Sequence, residues 1–305
     1  MRPLGRGRGR TCEAVMKDGT LEPPEGDSRR PWLLLVPSAS LYLFTFAVPL
    51  IVLVAASFEK TTGGVTVSPF SIDNYQSFFA DGVALRAVLH TLYLSFVIAT
   101  CCLLFGYPVA MTMRRSGGRM RLLLLFLVVS PLLTSVIVRN VAWILVLGRE
   151  GLINVAWRRL GLTTEPLRLM YNDLGVVIGV VHVYLAFVVL PVFASLTAID
   201  PAVEESAASL GATRARVFWH VTLPLSMPGV FAGFTLVFVL CVGLYLTPVV
   251  MGGNFVVTIS MIIGDLVRTQ FDMERASAFA VMVLLIVAGL LWLSRQFARR
   301  YGVAT

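Results

Sequence analysis

The sequence predicts an all-α membrane protein with six transmembrane helices, and three observations carry the prediction. Of its 305 residues, 57% are hydrophobic and 14% charged, and mean hydropathy is +0.83, far from the balance of a soluble domain. Six apolar runs, at about 33–57, 87–113, 122–148, 174–198, 229–251 and 278–297, can each cross a bilayer core of ~30 Å, which takes ~20 helical residues. Lys and Arg then alternate between the connections. With the N-terminus inside, the inside segments hold sixteen and the outside loops eight, while Arg139 falls within the third run. That bias places both termini in the cytoplasm. The 149–173 loop runs against it, with four Arg offset by Glu150, Glu165 and Asp173.

Taken in order, residues 1–30 are polar, rich in Gly, Arg and Pro, and have no apolar core, so they read as a disordered cytoplasmic tail and not as a signal peptide. Met16 offers an alternative start. Residues 31–86 hold the first span and an external loop, 87–297 a five-helix domain, and 298–305 a second cytoplasmic tail. The external loop carries Phe70-Ser71-Ile72-Asp73-Asn74-Tyr75 and then Phe78-Phe79. The second span ends in Gly106-Tyr107-Pro108-Val109-Ala110, and Arg114, Arg115, Arg119 and Arg121 anchor the turn at the headgroups. Pro37, Pro49, Pro108, Pro131, Pro191 and Pro248 lie inside spans, as plain kinks or as hinges.

Arg139 lies ~27 Å of helix beyond Arg121, near the outer interface, so the third span should stop near Val138. Arg139, with Trp143 after it, is then either a snorkelling anchor or part of an outer gate. His182 and His90 have no acidic partner nearby in sequence and read as hydrogen-bonded core histidines. Cys101, Cys102 and Cys241 lie inside spans and Cys12 in the tail, so they read as small core residues.

The most informative segment, 199–228, is polar and lies between the fourth and fifth runs. Asp200-Pro201 is a helix start, with an acceptor at the N-cap and a proline where no N–H is needed. Val203, Ala207, Leu210, Arg214, Val217 and Val221 follow at spacings of four and three, so one stripe shares a helical face. Gly211 interrupts it, and Pro224 and Pro228 close the segment. From spacing alone this is a helical hairpin on the water side.

Its wording carries more. Glu205-Ser206-Ala207-Ala208-Ser209-Leu210-Gly211, followed by Leu223-Pro224, resembles the Glu-Ala-Ala…Gly…Leu-Pro loop of type I ABC importer permeases. Val138-Arg139-Asn140-Val141-Ala142-Trp143 with Leu147-Gly148-Arg149-Glu150-Gly151-Leu152-Ile153-Asn154 resembles a signature of the spermidine/putrescine-type members. Gly243-Leu244-Tyr245-Leu246-Thr247-Pro248 to Gly252-Gly253 is similar to a third segment of that group, with Leu244 where many members have an acid. The resemblance runs from about 31 to 297. It implies the type I permease fold, with Glu204, Glu205, Ala207, Ala208, Leu210, Gly211, Leu223 and Pro224 forming a coupling helix that docks on an ATPase. It also implies partners: two copies of a cytoplasmic ATPase, a second homologous permease, an external solute-binding protein and the lipid of a bacterial inner membrane.

The residues exclude other roles. No Gly-x-x-x-x-Gly-Lys-Ser/Thr loop is present and the only lysines are Lys17 and Lys60, so ATP is expected to be hydrolysed on another chain. No metal-ligand spacing and no nucleophile–base pair stands out, so neither a cofactor nor enzymatic activity is expected. The charge of +8 comes without an aromatic-rich basic patch, which argues against nucleic acid. The alternative, an ion-coupled secondary transporter, usually keeps Asp or Glu inside its spans, and these six runs hold none. For the importer, polyamine is the first cargo expected, passed over aromatic faces such as Tyr93, Tyr184 and Tyr245. Arg139, Trp143, Tyr184 and Tyr245 are the candidates for the path or outer gate.

Overall fold

The computed structural model describes residues 30–300, apart from 63, 64 and 69. The tail expected over 1–30, except for Arg30, lies outside the described residues, together with Met16, Cys12 and residues 301–305. Helix α1 (Arg30–Phe58) is one apolar run through Pro37 and Pro49. Its portion up to Val52 is a compact unit by itself, and residues 53 onward form another.

Within that second unit, the loop after α1 folds back on the helix end. Strands β1 (Lys60–Thr62) and β2 (Val65–Ser68) pair antiparallel, a small hairpin the all-helical reading did not include. Thr and Val flanking Gly63-Gly64 are its signal in the sequence. In α2 (Asp73–Ala80), Asn74 donates its amide to the backbone oxygens of Ser57 (3.2 Å) and Glu59 (2.8 Å). Ser57 and Tyr75 share a hydroxyl hydrogen bond of 2.7 Å, and Phe58 stacks on Phe70 at 5.0 Å. The Phe-Ser-Ile-Asp-Asn-Tyr element is thus a clasp.

Three helices make the core: α3 (Gly82–Arg115), α7 (Asp173–Thr197) and α10 (Leu223–Val242). On α3 the buried positions Thr91, Ser95, Ile98, Cys102, Gly106, Ala110 and Met113 recur every three or four residues, which puts them on one face. On α10, Gly229, Gly233, Val237 and Cys241 do the same. A Cβ on Gly229 would lie 2.5 Å from the Pro191 oxygen, so glycine lets the α7 and α10 backbones touch. Close approach through small residues suits helices that gain nothing by hiding apolar side chains from lipid. Buried Cys102 and Cys241 fill this core as expected. Side-chain caps start two of these helices: Asp81 accepts from Val83 and Ala84, and Asn172 accepts from Gly175.

Two of the six runs depart from their expected form. The third is broken: α4 (Gly118–Val129) ends in a 3-10 turn at Ser130–Leu133, and α5 (Val136–Leu147) leaves it at 103°. The cause is Pro131, which has no N–H to continue the ladder, followed by the extended Thr134 and Ser135. The break thus comes before Val138, and a short α6 (Leu152–Arg159) follows. The fifth begins earlier and ends earlier than 229–251. After α8 (Pro201–Ser209), α9 (Arg214–Val217) runs through a π turn at Phe218–Thr222 into α10, one apolar span over Arg214–Val242. Pro224 and Pro228 therefore do not close the polar segment. The Leu223 N–H reaches the Phe218 oxygen five residues back, and this wider turn makes room for the Pro224 ring.

Beyond Gly243 come a π turn at Pro248–Gly252, a 3-10 turn at Gly253–Phe255 and α11 (Ile259–Arg268), bent by 95°. Helix α12 (Met273–Arg300) packs on α2 and α11, with Phe78 and Phe279 edge to face at 4.9 Å. Among the described residues, five continuous helices are long and apolar enough to cross a membrane, beside the two bent pairs.

Candidate functional site

The helices α3 and α7 run in the same direction: along α3, His90 meets Asp173 at the start of α7, Cys102 meets the Val181 oxygen, and Arg114 in the last turn meets the Ile199 oxygen just past the end of α7. At the last turns lies the polar hairpin. Asp200 accepts from Ala202 N–H at 2.9 Å and starts α8 with Pro201 in the first turn. The base is fixed by Glu204, whose Oε1 accepts from Arg114 Nη1 (2.8 Å) and from Thr222 Oγ1 (2.6 Å). Arg114 also donates to the Ile199 oxygen at 3.4 Å. One carboxylate therefore ties α8 to the end of α3 and to the π turn. Burial alone would raise its pKa. The hydrogen bonds from Arg114 and Thr222, with the charges of Arg114 and Arg115, outweigh burial and hold the carboxyl below its ordinary value.

Toward its tip the hairpin is open. No α8 residue is buried. Leu210 is 90% exposed, and Gly211 turns the chain at φ +84° with nothing within 4 Å of where a Cβ would stand. Ala207 is half-buried, and Glu205 and Ala208 line, with Glu204, Arg115, Arg214 and Phe218, a cleft of about 480 Å³ between the hairpin and α3. The stripe from Val203 to Val221 is therefore not a packed seam: Val203, Leu210 and Arg214 are exposed, and Ala207, Val217 and Val221 half-covered. Leu223 packs on the core and Pro224 is exposed, both in the first turn of α10. The eight hairpin residues picked from the sequence thus lie together at the end of the α3, α7 and α10 core where α3 and α7 finish, with α8 and Gly211 outermost. Thr222 and Arg114 complete its base: Arg114, expected to anchor the turn at the headgroups, is turned onto Glu204 and Ile199 instead, and Thr222 had no signal in the sequence beyond its polarity near a span end.

Of the four path or gate residues, Arg139 and Tyr184 feel each other's charge and Arg139 and Trp143 both neighbour His182, while Tyr245 lies beyond the end of α10. Arg139 donates to the Pro131 oxygen (2.7 Å) and to Thr134 Oγ1 (3.4 Å). It caps a carbonyl and a hydroxyl at the break in the third run. Trp143 meets His182 edge-on at 5.6 Å, and His182 is exposed rather than a core residue. Tyr184 is half-buried and meets Phe187 at 5.7 Å. Tyr245 lies past the end of α10, outside any span, with the Arg268 guanidinium 5.2 Å from its ring centroid. His90 is not alone either. It meets Asp173 and the Val257 oxygen at 3.1 Å each.

Beside these, a second cleft of about 480 Å³ is lined by Arg149, Arg168, Tyr171, Asn172 and Phe255. Below it, Asn154 clasps its loop. Its amide donates to the Gly148 (2.9 Å) and Leu167 (3.1 Å) oxygens, and its own oxygen accepts from Leu167 N–H at 2.8 Å. The Asn of the Gly-Leu-Ile-Asn signature is thus structural. Among the described residues no group of His, Cys, Asp or Glu could hold a metal.

Residues 103–303 match the family model described as binding-protein-dependent transport system inner membrane component. The spermidine/putrescine transport system permease protein PotB of Escherichia coli (strain K12) is 30% identical over 256 residues, 83% of this chain and 91% of that protein. PotB of Haemophilus influenzae is 31% identical over 80% of this chain and 84% of its own. A bacterial alginate ABC transporter, solved in complex with an alginate pentasaccharide-bound periplasmic protein, has a chain that aligns with TM-score 0.73 and 20% identity, covering 89% of this chain and 95% of that one. That degree of likeness speaks for the fold.

Proposed function

The chain belongs to the binding-protein-dependent transport system inner membrane component family, and on that premise we propose that it is the permease of an ATP-driven polyamine importer. The observation that carries the mechanism is the hairpin. It is tied at its base by Glu204 and open at its tip, with Leu210 and Gly211 against nothing. A helix fixed rigidly at one end and unpartnered at the other is suited to transmit the motion of a partner. The partner is a separate ATPase, a reading supported by the lack of a phosphate-binding loop in this sequence, and the family resemblance implies two copies of it. A second homologous permease and an external binding protein complete the assembly. Both termini and the 199–228 hairpin face the cytoplasm, a reading supported by the excess of Lys and Arg on that side.

Polyamine as cargo draws support from the two relatives whose names carry spermidine and putrescine. Of the candidate aromatic faces, Tyr245 is already covered by Arg268, so a passing cation would use Tyr93 and Tyr184. Weak contacts of this kind suit a transporter, which must release what it admits. Uptake of labelled putrescine and spermidine by cells carrying the complete operon tests the cargo. Absence of both, with uptake of an anionic or neutral solute, would remove polyamine and leave the importer standing. Dependence of ATPase activity on this permease, measured with the separately purified nucleotide-binding subunit, tests the coupling.

A further inference from the structure

The connection from α5 to α7 carries four arginines, Arg149, Arg158, Arg159 and Arg168, against the charge bias of the other connections. Arg158 donates to Glu150 Oε2 at 2.9 Å, and Asp173 is taken by His90. The guanidinium groups of Arg149 and Arg168 have no hydrogen-bond or ion-pair partner among the described residues. Both line the cleft of about 480 Å³ that ends at Tyr171 and Asn172, and Glu165 is not among its lining residues. The same cleft has an apolar wall of Leu169, Met170 and Phe255, the last 82% exposed.

Two observations set the level of this cleft. Helix α7 has 25 residues, ~37 Å of helix, which is longer than a bilayer core of ~30 Å. The cleft residues 170–172 come just before it and so stand among the headgroups. The neighbouring α6 turns Asn154 inward and an apolar face outward. Leu152 and Leu160, 70% and 71% exposed, share that face with Ala156 at spacings of four. Such a face is out of place in water. It suits acyl chains, with Arg159 beside it reaching back to the phosphates.

We propose that this cleft binds the headgroup of an acidic phospholipid, with Arg149 and Arg168 on the phosphodiester and Leu169, Met170 and Phe255 against the glycerol and the first methylenes. A guanidinium presents a planar fork of donors that matches phosphate oxygens and keeps its charge throughout the physiological range. A zwitterionic lipid carries its own cation beside the phosphate and gains less from the pair. Inorganic phosphate would satisfy the arginines but leave the apolar wall in water. An acidic protein surface would leave the outward face of α6 uncovered, whereas lipid meets the arginines, the wall and that face together. The inference goes beyond the importer reading and holds whatever the cargo and whichever leaflet meets the start of α7.

The test uses the full-length permease in nanodiscs of phosphatidylcholine, with and without phosphatidylglycerol. Phosphatidylglycerol should slow hydrogen exchange across 148–172. Competition between the two lipids, read by native mass spectrometry, should favour phosphatidylglycerol, and R149Q and R168Q should each lower that preference about five-fold. Both side chains are exposed, so these substitutions leave the packing intact. The R149K/R168K double variant should keep part of the preference, since the charge stays and only the fork is lost. Equal protection of 148–172 in both lipids, or a preference unchanged in R149Q/R168Q, overturns the proposal. So does equal protection by inorganic phosphate in phosphatidylcholine alone, which would mark a free-anion site. Protection that appears only when the external binding protein is added would mark a protein-docking surface and overturn it too.

Discussion

At the scale of single residues, Glu204 is the most exposed to test. Its neighbour Glu205 carries the family wording, yet Glu204 holds α8 in place through Arg114 and Thr222. Replacing it with Gln weakens two bonds to a charged acceptor, which are worth roughly 1.5–3 kcal/mol each. We expect hydrogen exchange across 201–213 to rise in Glu204→Gln while Glu205→Gln leaves it unchanged. Equal protection in both variants would show that the anchor lies elsewhere. The same carboxyl sets a pH rule. Its folded pKa is lowered, so its contribution is fully present above the unfolded value and is lost as pH falls through the folded one. Protection of the hairpin amides, with the intrinsic pH dependence of exchange divided out, should therefore stay level from pH 8 to about 5 and fall only in stronger acid. Such anchors are hard to read from sequence because the partners are 90 and 18 residues away. His90 shows the same limit: its acid lies 83 residues on, and nothing local announces it.

Elements were legible where apolar length decides them and less so where proline does. The runs at 33–57, 87–113, 174–198 and 278–297 reappear as α1, α3, α7 and α12. Pro131 breaks its helix, whereas Pro224 sits in a continuous one, and the difference is the π turn at Phe218–Thr222. A sequence does not display which carbonyls a turn will spare. The turn nevertheless gives a prediction. Deleting the exposed Trp219 should restore α-helical pitch, rotate α9 by about 100° and separate Thr222 from Glu204. Permease-dependent ATPase activity should then be lost with membrane insertion intact, whereas Trp219→Ala should be close to wild type. Gly211 tests the other end of the hairpin. At φ +84°, with open space around it, Gly211→Ala meets only backbone strain, ~1 kcal/mol. Gly211→Val adds the stiffness of a branched Cβ and should reduce coupled ATPase activity further. Wild-type activity in both would exclude a docking role for the turn.

For the whole molecule, the prediction is one of sidedness. In a background without Cys12, Cys101, Cys102 and Cys241, Thr213→Cys should resist an impermeant thiol reagent in intact cells and react in inverted vesicles. Cysteines in the 58–86, 149–173 and 252–277 stretches should behave in the opposite way. Labelling of Thr213→Cys from outside would invert the topology and remove the hairpin from the reach of any cytoplasmic ATPase.

The parallel pair α3 and α7 has a mechanical consequence. His90 and Arg114 stand on one continuous helix, ~36 Å apart, and each grips the neighbouring α7 segment at its own end. A beam clamped to its neighbour at both tips resists sliding along that neighbour and yields most readily to tilting as a unit. Thrust received at α8 would then arrive at Asp173 as a sideways swing, with little slack lost on the way. Pro108 is the one position inside α3 where the beam lacks a backbone N–H, so stiffness there sets how faithfully the swing is delivered.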